Sequence, residues 1–108
     1  MASTNLEVIQ ERIREGRYLI KSHALGHALK EGFDRKDMVT AVLNGIIIEE
    51  YAGMRALICG RTMLSTTVEV YLHVVCEYAD PFYVEFVTAY VPDELQWESP
   101  PFRRRKMR

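Results

Sequence analysis

The order of apolar and polar positions changes period once along the chain, near Gly45. Before it the spacing is helical, and after it residues alternate. TNLEVIQERIREG carries Leu6, Ile9 and Ile13 on one stripe, with Thr4 and Glu7 spaced as a capping box and Gly16 as a stop. A second helix is expected from His23, with Ala24, Ala28 and Leu29 apolar and Gly32 suited to a left-handed end. A third begins after Asp34 as N-cap, carries Met38, Val39, Val42 and Leu43, and ends at Asn44-Gly45. Residues 17–22 read as a short strand or an extended lead-in.

Beyond Gly45, the segments GIIIEEY, MRALICGR, TTVEVYLHVVCEY and FYVEFVTAY are rich in β-branched and aromatic residues. Turn-prone pieces such as Ala52-Gly53 and Ala79-Asp80-Pro81 separate them. Short connections predict an antiparallel meander, giving an α+β fold with N-terminal helices packed on a four-stranded antiparallel sheet. In the third segment alternation places Val68, Val70, Leu72, Val74 and Cys76 toward the core, and Glu69, Tyr71, His73, Val75 and Glu77 away from it. In the fourth, Val84, Phe86, Thr88 and Tyr90 share one side, and alternation does not choose which side is buried.

A chain of 108 residues, 48% hydrophobic and 27% charged, fits one domain, taken as residues 1–102, that forms a core without staples. No apolar run approaches the ~20 residues of a membrane span, and the start lacks the order of a secretion signal, so a cytoplasmic protein with no membrane partner is expected. Cys59 and Cys76 sit in apolar segments without CxxC spacing and are expected to be reduced packing residues. The net charge of −1 hides an asymmetry: RRRKMR, residues 103–108, holds five basic groups, leaving nine basic against fifteen acidic before it. That run is expected to be a solvated basic tail on an acidic body that does not attract a polyanion by its overall field.

The candidate chemistry centres on three histidines. His23 and His27 would stack on one helical face, as two ligands of one ion do, with His73 as a third. HxxxH without the glutamate of HExxH is common by chance, and neither a metal nor another cofactor is expected. Acid/base chemistry is the other use, since a histidine of ordinary pKa near 6.5 exchanges protons at neutral pH. Tyr71, Tyr90, Glu69 or Thr88 would orient it, and Arg17, Arg55 or Arg61 would supply a cation, an arrangement suited to RNA cleavage. The aromatics Tyr83, Phe86, Tyr90, Trp97 and Phe102 suit a core or a dimer face, and PDELQWESPPF suits an extended strap anchored by Trp97.

SHA at 22–24, NGIIIEEY at 44–51, ALICG, LHVV at 72–75 and TAYVPDELQW at 88–97 together resemble a family of small bacterial proteins of uncharacterised function. Its pattern runs SxHA, GxIIExY, LHVV, TAYxPD and a tryptophan just beyond, and the match spans about residues 18–97. That family is remotely similar to the RelE-like and BrnT-like toxins, which implies a small α+β ribonuclease fold and RNA or the ribosome as target. An antitoxin-like protein or a second copy of the chain would be the protein partner. The resemblance points to His23, His73, Thr88 and Tyr90 as the positions to test. One departure is His27, where the pattern has arginine.

Two functions are therefore expected in competition. One is an RNA-binding or RNA-cleaving domain, with His23 and His73 as acid and base, Thr88 and Tyr90 orienting, and Arg61 neutralising phosphate. The other is a non-catalytic interaction module. Catalysis requires His23 and His73 in one cleft beside a cation, whereas a module, working through its aromatic C-terminal surface, permits them to be apart and requires an exposed apolar patch of several hundred Å2.

Overall fold

The computed structural model describes residues 4–64 and 66–106. Helix α1 (Thr4–Arg14) buries Ile9 and Ile13 and stops before Gly16, whose φ is 76°. Helix α2 (Ser22–Glu31) buries Ala24 and Ala28. Gly32 ends it in the left-handed region at φ 82°, its N–H donating to the Ala28 carbonyl at 2.9 Å. Helix α3 (Arg35–Asn44) opens on a reciprocal capping box: Asp37 N–H donates to the Asp34 carboxylate at 3.0 Å, and Asp34 N–H to the Asp37 carboxylate at 2.9 Å.

The strands are β1 (Tyr18–Ile20), β2 (Ile46–Tyr51), β3 (Arg55–Met63), β4 (Glu69–Glu77) and β5 (Val84–Tyr90), and they form one sheet in the order β1-β5-β4-β3-β2. The α+β class holds, but the four-stranded antiparallel sheet is corrected to a five-stranded mixed one. The short segment before α2 joins the edge parallel to β5, with Tyr18 opposite Val84 and Ile20 opposite Phe86. The Tyr18 ring stacks on Phe86 with centroids 5.4 Å apart, and Lys21 N–H donates to the Phe86 carbonyl at 3.0 Å. The long excursion from α2 through β4 supplies the crossover that parallel pairing needs.

Two bulges set which side chains reach the face turned away from the helices. In β2, Ile47 pairs with Ile58 but Glu49 pairs with Leu57, so Ile48 is extra. In β5, Phe86 pairs with Cys76 but Thr88 pairs with Val75, so Val87 is extra. One extra residue reverses the alternation beyond it. The expectation that Val84, Phe86, Thr88 and Tyr90 share a side is therefore corrected. Val84 and Phe86 lie in the core under the helices, while Thr88 and Tyr90 turn outward beside Val75 and His73.

The helices cover the inner face, burying Ile58, Leu72, Val74, Cys76 and Phe86 against Met38, Ala41 and Val42. On the outer face Leu57, Cys59 and His73 are also fully buried, because the chain after β5 folds back across them. Trp97 anchors this strap at 3% exposure, and Trp97 and Arg104 form an isolated antiparallel bridge. Arg105 N–H donates to the Gln96 carbonyl at 2.8 Å, and its side-chain Nε to the Glu94 carbonyl at 2.6 Å. Residues 103–106 are exposed, as expected of a solvated run, but residues 103–105 also close a loop with the strap, while residues 107–108 lie outside the described residues. Both cysteines are free and buried, and burial pushes the Cys59 thiol up to about 12 and that of Cys76 further, so neither is a thiolate at neutral pH.

Candidate functional site

Strand pairing arranges the outer face in rows. Ile46, Cys59, His73 and Tyr90 form one; Glu49, Leu57, Val75 and Thr88 form the next; Tyr51, Arg55, Glu77 and Glu85 form a third. The strap crosses the first row and reaches into the second through Arg104. There the Arg104 guanidinium donates to both oxygens of Glu49, from Nε at 2.8 Å and from Nη2 at 3.0 Å. The Tyr51 hydroxyl donates to the same carboxylate at 2.5 Å, and the guanidinium lies over the Trp97 ring at 4.6 Å.

Beneath Trp97, the His73 ring meets the indole edge-on at 4.4 Å and is fully excluded from solvent. Its Nε2 lies 2.8 Å from the Pro101 carbonyl, which can only accept, so Nε2 carries the proton. Nδ1 is then the acceptor for the Tyr90 hydroxyl at 3.3 Å. Both nitrogens are thereby committed in the neutral ring.

The electrostatics follow from this arrangement. Burial pulls the His73 pKa below its usual value, against the opposing pull of the Pro101 carbonyl and Glu49. Hydrogen bonds from Arg104 hold the Glu49 carboxyl below the usual carboxylate range. Burial, with Glu49 alongside, pushes the Tyr51 phenol up to about 12, and burial also raises Tyr90. At neutral pH the cluster is a neutral imidazole, two neutral phenols and one matched ion pair. It fastens the strap, and it holds no group poised to gain or lose a proton near pH 7.

A pH dependence of stability follows. The unfolded chain protonates His73 near pH 6.5, whereas the folded chain resists until lower pH. The stability this provides is complete above about 6.5 and is lost as pH falls from there toward the folded value, by at most ~1.4 kcal/mol per pH unit. Urea midpoints measured at pH 7, 6 and 5 are expected to fall for the wild type and to fall less for His73→Gln. A flat wild-type profile would sink this account.

The sequence-derived candidates separate. His73, Thr88 and Tyr90 share the outer face. Arg61 lies one row beyond His73, opposite Tyr71, exposed and 3.7 Å from Glu69. It lines a cavity of about 320 Å3 with Tyr71 and Phe102, and Phe102 packs edge-on against Tyr71 at 5.6 Å. His23 is not brought to this group: it is exposed on α2, which packs on the inner face, so the sheet separates it from His73. Among the described residues no cluster of three or more His, Cys, Asp or Glu is placed to hold a metal ion.

Sequence reasoning missed Glu49, Tyr51 and Arg104. Glu49 and Glu50 are adjacent on β2 and point to opposite faces, and nothing in the residue pattern links Glu49 to an arginine in the basic run.

No curated protein matches the chain, and no solved structure does. No helix among the described residues is long and apolar enough to cross a membrane. Residues 20–91, from the end of β1 through β5, match the model of a family described as a domain of unknown function, DUF4258, and the chain belongs to that family.

Proposed function

We propose that the chain is a non-catalytic binding module for an extended segment of another protein, and that its working surface is the open part of the outer sheet face beside the strap. The observation that carries this reading is a groove of about 700 Å3 lined by Tyr51, Arg55, Val75, Glu77, Val87 and Thr88. It offers two valines, a phenol and a hydroxyl between charged rims, the mixture that receives alternating side chains of an extended peptide.

The charges of this face support a protein ligand over RNA. Lys21 pairs with Glu85 at 2.9 Å, Arg55 with Glu77 at 3.1 Å, Arg61 with Glu69 at 3.7 Å and Arg104 with Glu49 at 2.8 Å. RNA affinity rests on cations that neutralise phosphates. Here each of these four already has a carboxylate.

The RelE-like or BrnT-like reading, in which His23, His73, Thr88, Tyr90 and Arg61 cleave RNA, is the competing outcome of the test. An antitoxin-like chain and a second copy of this chain both belong to the proposed class of partner. The test is selection of a displayed random-peptide library on the wild-type protein, with a folded Val75→Glu/Thr88→Arg variant as counter-screen. Selected peptides are expected to lose at least about tenfold in affinity for the variant, the scale of one or two interface contacts. Cleavage of a mixed RNA pool that survives chelator and disappears in Tyr90→Phe would overturn the proposal.

A further inference from the structure

We infer that His23 and His27 on α2 are the two protein ligands of a surface site for a divalent transition-metal cation of borderline softness, such as Zn2+, Ni2+ or Cu2+, with Glu31 orienting His27 without joining the ligand set. The three residues are spaced four apart, and burial of Ala24 and Ala28 fixes the helix so that their flank stays accessible. The two imidazole rings are in contact, with centroids 4.8 Å apart and planes at 63°.

Glu31 makes this more than two neighbouring histidines. One of its carboxylate oxygens accepts from the Val91 backbone N–H at 2.9 Å, which fixes the group in place. The other lies 3.3 Å from Nδ1 of His27. An ionised carboxylate only accepts, so Nδ1 carries a hydrogen and the lone pair of His27 is left on Nε2. This is the outer arrangement found around metal-binding histidines: a carboxylate sets the tautomer, orients the ring and raises its basicity as a ligand.

His23 supplies the second imidazole. Among the described residues its ring has no hydrogen-bond or ion-pair partner, so its nitrogens are available to an ion. Imidazole pairs select Zn2+, Ni2+ and Cu2+ over Mg2+ and Ca2+, which take oxygen ligands. Two protein ligands leave at least two positions of a tetrahedral ion for water or for a donor from another molecule. The third histidine considered from the sequence is not needed, since His73 lies on the far side of the sheet. The site is independent of the outer-face groove.

The test is competition of tag-free protein with a chromophoric chelator for Zn2+ and Ni2+, paired with NMR of the imidazole CH signals. The wild type is expected to bind one ion and to shift the His23 and His27 signals while leaving those of His73 in place. His23→Gln and His27→Gln are each expected to remove binding. Glu31→Gln keeps both ligands and is expected to weaken binding by about 10- to 100-fold. No binding by the wild type, or binding unchanged in His23→Gln and His27→Gln, would overturn the site; unchanged affinity in Glu31→Gln would overturn the role of the carboxylate.

Discussion

Gly60→Ala is expected to destabilise the protein by about 3 kcal/mol or more, at the upper end of what overpacking costs. A Cβ at Gly60 would sit 1.7 Å from the Ala41 carbonyl oxygen and 2.5 Å from its carbon. Both are backbone atoms of α3, so no side chain can turn aside and the helix must lift from β3. That helix is also tied to β3 by Asn44, whose side-chain amide donates to the Arg61 carbonyl at 2.8 Å and accepts from Arg61 N–H at 2.9 Å. Lifting α3 would strain both bonds and uncover Met38 and Val42. Gly26→Ala is the control: nothing lies within 4 Å of a Cβ there, and the position is helical, so alanine is expected to add roughly 0.5–1 kcal/mol of stability. Urea unfolding followed by circular dichroism checks both. Equal midpoints for Gly60→Ala and the wild type would mean that α3 does not rest on β3 this closely.

His73→Ala is expected to cost on the order of 3 kcal/mol, from the cavity left by a buried ring and from the Pro101 carbonyl and Tyr90 hydroxyl that lose their partner. His23→Ala, at an exposed helical position, is expected to stay within ~0.5 kcal/mol of the wild type. The loss in His73→Ala should also be local at first. Trp97 rests on the His73 ring, and its fluorescence is expected to shift to the red, with faster quenching by acrylamide, below the unfolding transition. A catalytic histidine would give the opposite pattern, with stability kept and only activity lost. An unchanged midpoint and unchanged Trp97 emission would remove the structural role assigned to His73.

Much of the fold was legible because it depends on local spacing. Asp34 caps α3, Gly32 ends α2 in the left-handed region, and alternation in β4 puts Leu72, Val74 and Cys76 inward and His73 outward, all as the residue pattern predicts. Three things were not legible. The bulges at Ile48 and Val87 reverse alternation without any marker residue, so Thr88 and Tyr90 could not be assigned to a face. The parallel edge at Tyr18–Ile20 depends on a partner far along the chain, and three residues are too few for a period. Burial of His73 comes from the strap, a segment with no regular spacing, so alternation places the ring away from the helices without showing what covers it. The candidate site shared these limits: Tyr90 and His73 were named, but the Glu49–Arg104 pair joins residues that only the folded strap brings together.

The parallel edge strand also governs the order in which the molecule can assemble. The turns between β2 and β3 and between β3 and β4 close short loops, so those antiparallel pairs cost little chain entropy to bring together. β1 has nothing to pair with until β5 exists, and β5 is the last strand made as the chain emerges. The amides of residues 18–20 therefore acquire protection from exchange late, and α2, which follows them and packs on β5, is held to the sheet by a contact that forms after the meander. A nascent chain halted before β5 would carry α2 undocked at that edge, leaving the Tyr18 ring without the Phe86 surface on which it stacks.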